Sequence, residues 1–163
     1  MKKTQRGFTL LIAVIFMSVM LSFGLALGSL GYKQQVLASN AIASQYAFYV
    51  ADTALECALY ADQQLGLFDY TRWDGNPKSM TCDNSTIAAV QMPPSVSELI
   101  TTVRLSLDAD KRCADLTIYK YRVPQHPDGL TTFIFSTGYD VSCTRVANPG
   151  NTRFVSRGMS AHY

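Results

Sequence analysis

Arg6-Gly7-Phe8-Thr9-Leu10-Leu11-Ile12 opens an apolar run that continues to Tyr32, and no charged side chain lies between Arg6 and Lys33. At ~1.5 Å of rise per residue, a helix over Phe8–Tyr32 is roughly 37 Å long against ~30 Å of bilayer hydrocarbon, so it spans a membrane with some tilt. Lys2, Lys3 and Arg6 precede the run and only Lys33 follows closely. The positive-inside bias then keeps residues 1–6 in the cytoplasm and sends everything after Tyr32 outward. A cleaved secretory signal would be shorter and would carry its small-residue site directly behind the apolar region. Here Ala41-Ile42-Ala43 lies beyond Lys33-Gln34-Gln35, too far out to serve. The expectation is a single-pass cytoplasmic membrane protein with an extracytoplasmic C-terminal domain.

Inside the run, Gly24-Leu25-Ala26-Leu27-Gly28 is a GxxxG pattern, which lets membrane helices approach closely, although glycines are frequent in such helices without that role. The helix is expected to continue past the membrane. From Lys33 to about Gln64 there is neither proline nor glycine. Ala43, Ala47, Val50, Ala51, Ala54, Ala58 and Ala61 recur at steps of three and four, while Gln45, Asp52, Glu56 and Gln63 fall on another face. A stripe of small side chains suits a helix that lies close against a sheet. Tyr46, Phe48, Tyr49 and Tyr60 read as packing residues rather than a ligand site, and Gly66 reads as the helix stop.

The chain therefore divides into a leader (1–7), a transmembrane half-helix (8–32), an exported amphipathic half-helix (33–65), a connecting loop (66–98) and a sheet (99–163). In the loop, Trp73-Asp74-Gly75-Asn76-Pro77 is turn chemistry, and Met92-Pro93-Pro94 breaks any continuing element. Asp74 and Asn76 lack the further acids of a calcium loop, and the acceptor triplet Asn84-Ser85-Thr86 is too short a match to assign. Beyond Pro94 the period changes to two. Leu99, Thr101, Val103, Leu105 and Leu107 alternate with more polar neighbours, which predicts a half-buried strand. Leu116–Val123 and Thr131–Val141 follow, joined by Pro124-Gln125-His126-Pro127-Asp128-Gly129, and a last strand covers about Thr152 to His162. The fold class is α+β: a long N-terminal helix packed on a four-stranded antiparallel sheet, whose apolar face only the alanine stripe is large enough to cover.

Cys57, Cys82, Cys113 and Cys143 all fall on the exported side, where disulfides are permitted, and three pairings are possible. A hairpin would bring Cys113 near Cys143 and leave Cys57 to tie the helix to the loop at Cys82. A four-cysteine zinc site is the weaker reading, because no C-x-x-C knuckle is present. His126 and His162 stand in no metal-ligand spacing, and no nucleophile elbow, phosphate loop or HExxH helix occurs. Asp108 and Asp110 beside Lys111-Arg112 read as a solvated charge cluster, and Arg153 and Arg157 as exposed strand residues. No enzyme, cofactor or metal is expected. The formal charge of +2 includes three leader cations; without them, 12 acids outnumber the 11 cations that remain, which argues against a broad nucleic-acid footprint.

A glycine at the boundary between a basic leader and an apolar helix resembles the class III signal of type IV prepilins and type II secretion pseudopilins. The resemblance is close over about the first thirty residues, and the expected helix-then-sheet architecture is similar to that of the family. It implies cleavage by a membrane peptidase between Gly7 and Phe8 and methylation of the new amino terminus at Phe8. The family commonly carries Glu at the fifth mature position, where this chain has Ile12. That carboxylate is thought to pair with a neighbouring subunit's amino terminus, and members similar to this chain in lacking it include the tip pseudopilin of type II secretion. Either a minor, initiating subunit or apolar packing alone accounts for Ile12. The resemblance implies a structural subunit of a pilus-like filament or pseudopilus. Its partners would be other pilin-like subunits, the prepilin peptidase, an assembly ATPase and a platform membrane protein, and its final place a surface filament. The alternative is a permanently anchored extracytoplasmic module that binds a ligand and never polymerises.

Overall fold

A computed structural model describes residues 6–69, 76, 78–91, 98–122 and 129–163. Lys2 and Lys3, the turn residues Trp73, Asp74 and Pro77, the Met92-Pro93-Pro94 break and His126 lie outside the described residues. Helix α1 runs Arg6–Gln63. The chain forms two compact units, Met1–Ala41 and Ile42–Tyr163.

In the first unit, every side chain from Phe8 to Ala41 is exposed. Its serines turn back on the helix: the hydroxyls of Ser18, Ser22 and Ser29 donate to the carbonyls of Ile15, Ser18 and Ala26 at 2.8, 2.8 and 2.9 Å. Each hydroxyl is thus satisfied without water, the condition for residence in hydrocarbon. The stretch is long and apolar enough to cross a membrane.

In the second unit, α1 is covered on one side only. Ala47, Val50, Ala51, Ala54, Ala58 and Ala61 are buried, and Gln45, Glu56 and Gln63 are exposed. Gly66 ends the helix as its composition suggests. With φ at 58°, it lets its own N–H reach the Asp62 carbonyl at 3.2 Å and the Leu67 N–H reach the Ala61 carbonyl at 3.0 Å. Tyr46, Phe48, Tyr49 and Tyr60 are exposed rather than packed in the core, because the covered face of the helix is the alanine face.

The connecting region contains elements that turn chemistry alone did not reveal. Strands β1 (Ser79–Cys82) and β2 (Ser85–Ala88) make a hairpin whose two linking residues, Asp83 and Asn84, both have positive φ, the backbone of a tight primed turn. The triplet Asn84-Ser85-Thr86 therefore lies at a hairpin tip. The short β3 (Val90–Gln91) joins the edge of the main sheet. That sheet continues with β4 (Glu98–Leu107), β5 (Arg112–Arg122), β6 (Leu130–Tyr139) and β7 (Ser156–His162), antiparallel throughout and in sequence order. It thus holds the four expected long strands plus one two-residue edge strand.

Two strand starts differ from the sequence reading, in opposite directions. β5 begins four residues earlier than Leu116, since Arg112 to Asp115 pair with Leu107 to Arg104 across a turn whose Asp108, Ala109 and Asp110 all have positive φ. β7 begins at Ser156 rather than Thr152. A five-residue helix, α2 (Cys143–Ala147), occupies the link between β6 and β7. The cysteines pair Cys113 with Cys143, tying α2 to β5 at a Cα separation of 4.7 Å, and Cys57 with Cys82, tying α1 to the β1–β2 hairpin at 6.2 Å.

Candidate functional site

The sheet has two unlike faces. Toward α1 it presents Leu99, Val103, Leu105 and Leu107 from β4, Leu116 and Ile118 from β5, and Ile134 from β6, all buried. Helix and sheet approach closely at Gly138 on β6. A Cβ there would lie 2.2 Å from the Ala47 carbonyl oxygen and 2.4 Å from the Ala51 nitrogen, so only glycine fits. Two residues earlier, the buried Ser136 hydroxyl donates to the Ala51 carbonyl at 2.7 Å. The seam is therefore backbone against backbone, and the alanine stripe is what permits it.

At one end of this seam the chain buries ions. The Lys120 ammonium on β5 lies 2.6 Å from Oδ1 of Asp62 on α1, with side-chain exposures of 10% and 2%. The Tyr163 hydroxyl donates to Oδ2 of the same carboxylate, while the Tyr163 main chain exchanges hydrogen bonds with Thr132 at 2.8 and 3.1 Å. Burial first, and then the bond to Asp62, push the Tyr163 phenol well above its ordinary range. Position 120 is the fourth inward site of the alternating series Ala114, Leu116, Ile118, Lys120. A cation in that series was the available signal that a buried acid awaited it.

The other face carries rings. Tyr119 and Tyr121 on β5 and Phe133 and Phe135 on β6 stand on the side away from α1. With Thr117 they line a shallow depression of about 560 Å³. His162 on β7 lies against Phe133 with centroids 5.9 Å apart. On the same face, Arg104 forks onto Asp115 through two bonds of 2.6 and 2.8 Å, and Tyr139 donates to Asp115 at 3.3 Å. The Asp115 hydrogen bond raises the Arg104 pKa, whereas burial raises that of Tyr139.

One charge reading changes. Arg112 is not part of a solvated cluster: it bonds Asp108, and its guanidinium sits 3.9 Å above the Tyr46 ring on α1. Arg157 is exposed as expected, and because β7 register puts it opposite Gly138 its Nε also donates to Ser44 Oγ on α1 at 2.7 Å. Arg153 is exposed ahead of the strand. Asp108 and Asp110 remain exposed in the β4–β5 turn. Among the described residues, no three His, Cys, Asp or Glu side chains gather where a metal ion would sit.

Gly24 and Gly28 have open space where a Cβ would stand, and Phe8 and Ile12 are exposed. These residues are brought to no partner within the first unit. No family of known proteins, no curated protein and no solved structure matches this chain.

Proposed function

We propose that this chain is a structural, minor subunit of a type IV pilus-like filament or type II secretion pseudopilus. In this reading the prepilin peptidase removes residues 1–7 after Gly7, Phe8 is methylated, and the apolar helix leaves the bilayer to pack among sister helices. The observation that carries it is the junction of Arg6-Gly7-Phe8 with a single helix, Arg6–Gln63, uncovered from Phe8 to Ala41 and sheathed by a sheet only further on. Large exposed residues such as Phe16, Leu21 and Phe23 need an apolar surrounding, which lipid provides first and neighbouring helices provide later. Gly24 and Gly28, open on their outer side, suit close helix packing.

Ile12, half exposed, puts no buried charge on the subunit, so assembly at that level rests on apolar contact, which fits an initiating position. The partners are other pilin-like subunits, the peptidase, an assembly ATPase and a platform protein in the cytoplasmic membrane. Mechanical shearing of native cells tests the reading, with the subunit located by antibody on surface fibres. The native chain is expected in the sheared fraction, and a Gly7→Leu chain is expected to stay in the membrane. A native chain that never leaves the envelope, behaving like Gly7→Leu, would favour the permanently anchored module instead.

A further inference from the structure

The ring-bearing face of the sheet is unexplained by packing. Phe135 is 47% exposed and Tyr121 36%, on strands with a neighbour on either side, where a solvated face ordinarily carries polar side chains. The rings are nevertheless ordered against one another. Tyr119 and Tyr121 lie within 2° of parallel with centroids 6.2 Å apart, Phe135 meets Tyr119 edge-on at 5.8 Å, and Phe133 meets Tyr121 edge-on at 6.1 Å. Edge-to-face contacts of this kind fix ring orientation, so the platform is pre-formed.

We propose that this depression docks a neutral carbohydrate chain, seating two or three sugar rings across Tyr119, Tyr121, Phe133 and Phe135. A pyranose has an apolar C–H face and a rim of hydroxyls. The lining offers the matching pair: ring faces for the first, and the hydroxyls of Thr117, Tyr119 and Tyr121 for the second. Among the described residues, none of those lining it is charged. The described charged groups nearby do not supply a cationic field. Arg104 is closed onto Asp115, Arg122 is already engaged, and the charged group bonded to the Tyr121 phenol is the acid Glu98. A nucleic acid or other polyanion finds no complement there.

Size favours a small occupant. Phe135 and Tyr121 are open by about a half and a third, and Tyr119 and Phe133 are half-buried; at ~150–250 Å² per large aromatic side chain, the four offer at most on the order of 300 Å² together. A stable protein partner, or a second copy of this chain, needs about 800 Å² per side. A depression of about 560 Å³ falls instead in the range of small-ligand sites. Sugar docking stands whether or not the chain polymerises.

The test uses the full chain in lipid nanodiscs, which avoids sugar-headed detergents, titrated calorimetrically with cellotetraose, chitotetraose and maltotetraose, and with an oligo-dT as polyanion. Saturable binding of at least one tetrasaccharide is expected. Phe135→Ser, or Tyr121→Ser if the first variant fails to fold by circular dichroism, should weaken it at least tenfold. Tyr60→Ser, which removes an exposed ring on α1 away from the platform, should leave it within twofold. Absence of saccharide binding overturns the proposal. So do equal losses in Tyr60→Ser and Phe135→Ser, tighter binding of oligo-dT than of any sugar, or self-association of the chain that Phe135→Ser abolishes.

Discussion

Residues 8–41 and residues 42–63 belong to one helix and share its backbone, yet the first stretch exposes Phe, Leu, Ile and Met all round and the second buries a line of alanines. The contrast shows what side-chain size does in an apolar helix. Large residues make a surface that some other body must cover. Small residues bring the helix axis so close to the sheet that Ala47 and Ala51 leave no room for a single carbon on Gly138. One stretch leaves its covering to its surroundings, and the other is covered by the chain's own sheet.

The largest effect is expected where the fixed stretch holds charge. Lys120→Ala strands the Asp62 carboxylate in the seam and should cost about 3–5 kcal/mol of stability in denaturant melts of the sheet unit. The paired replacement Asp62→Leu with Lys120→Met should recover most of that loss. If the single substitution is harmless, the seam is wetter than its burial implies. Next comes Gly138→Ala, where one methyl must push helix backbone away from strand, at about 3 kcal/mol. A loss under 0.5 kcal/mol would mean that the helix slides freely, and the contrast between the two stretches would disappear.

Tyr163→Phe is milder, about 1 kcal/mol for a part-buried bond to a carboxylate, and it carries a pH signature. The Tyr163 phenol is raised above its ordinary value near 10, so below that pH folded and unfolded chains both keep the proton and the bond contributes fully. Above it the unfolded chain releases its proton first, and stability falls as pH rises. Urea melts between pH 8 and 11 should show this decline in the native chain and a shallower one in Tyr163→Phe; equal slopes would assign the decline to other tyrosines.

The smallest effect is expected in the exposed stretch: Leu21→Ala should shift the melting of the sheet unit by under ~0.5 kcal/mol, since Leu21 belongs to the other unit and is exposed. A larger shift would show that the two stretches are not independent.

Periodicity made the broad fold legible. The alanine stripe, the inward series Leu99 to Leu107 and the stop at Gly66 are each set by local spacing, and each lies where spacing puts it. What escaped depends on contacts distant in sequence. The β1–β2 hairpin is only four residues per strand, too short for an alternation signal, and its Asp83-Asn84 turn lacks the usual glycine. β5 starts early because Asp108 to Asp110 turn the chain with positive φ, which their composition did not require. Gly138 inside a strand and Lys120 at a core position were visible anomalies, but their meaning needed the helix on the other side. The aromatic face was hidden differently: rings in a strand read as core until the register puts Tyr119, Tyr121, Phe133 and Phe135 on the side away from α1. Arg157 is exposed as its place in a strand suggested, but its bond to Ser44 depends on β7 direction and register and could not be read from sequence.

The account rests on an apolar rod that resides in lipid only until assembly, and the residue that reports this directly is the first one of the mature chain. Mass spectrometry of the N-terminal peptide, taken from protein purified out of native membranes and fibres, should find N-methylated Phe8 with residues 1–7 gone. An N-terminal peptide that still begins at Met1 and carries Lys2, Lys3, Arg6 and Gly7 would contradict it.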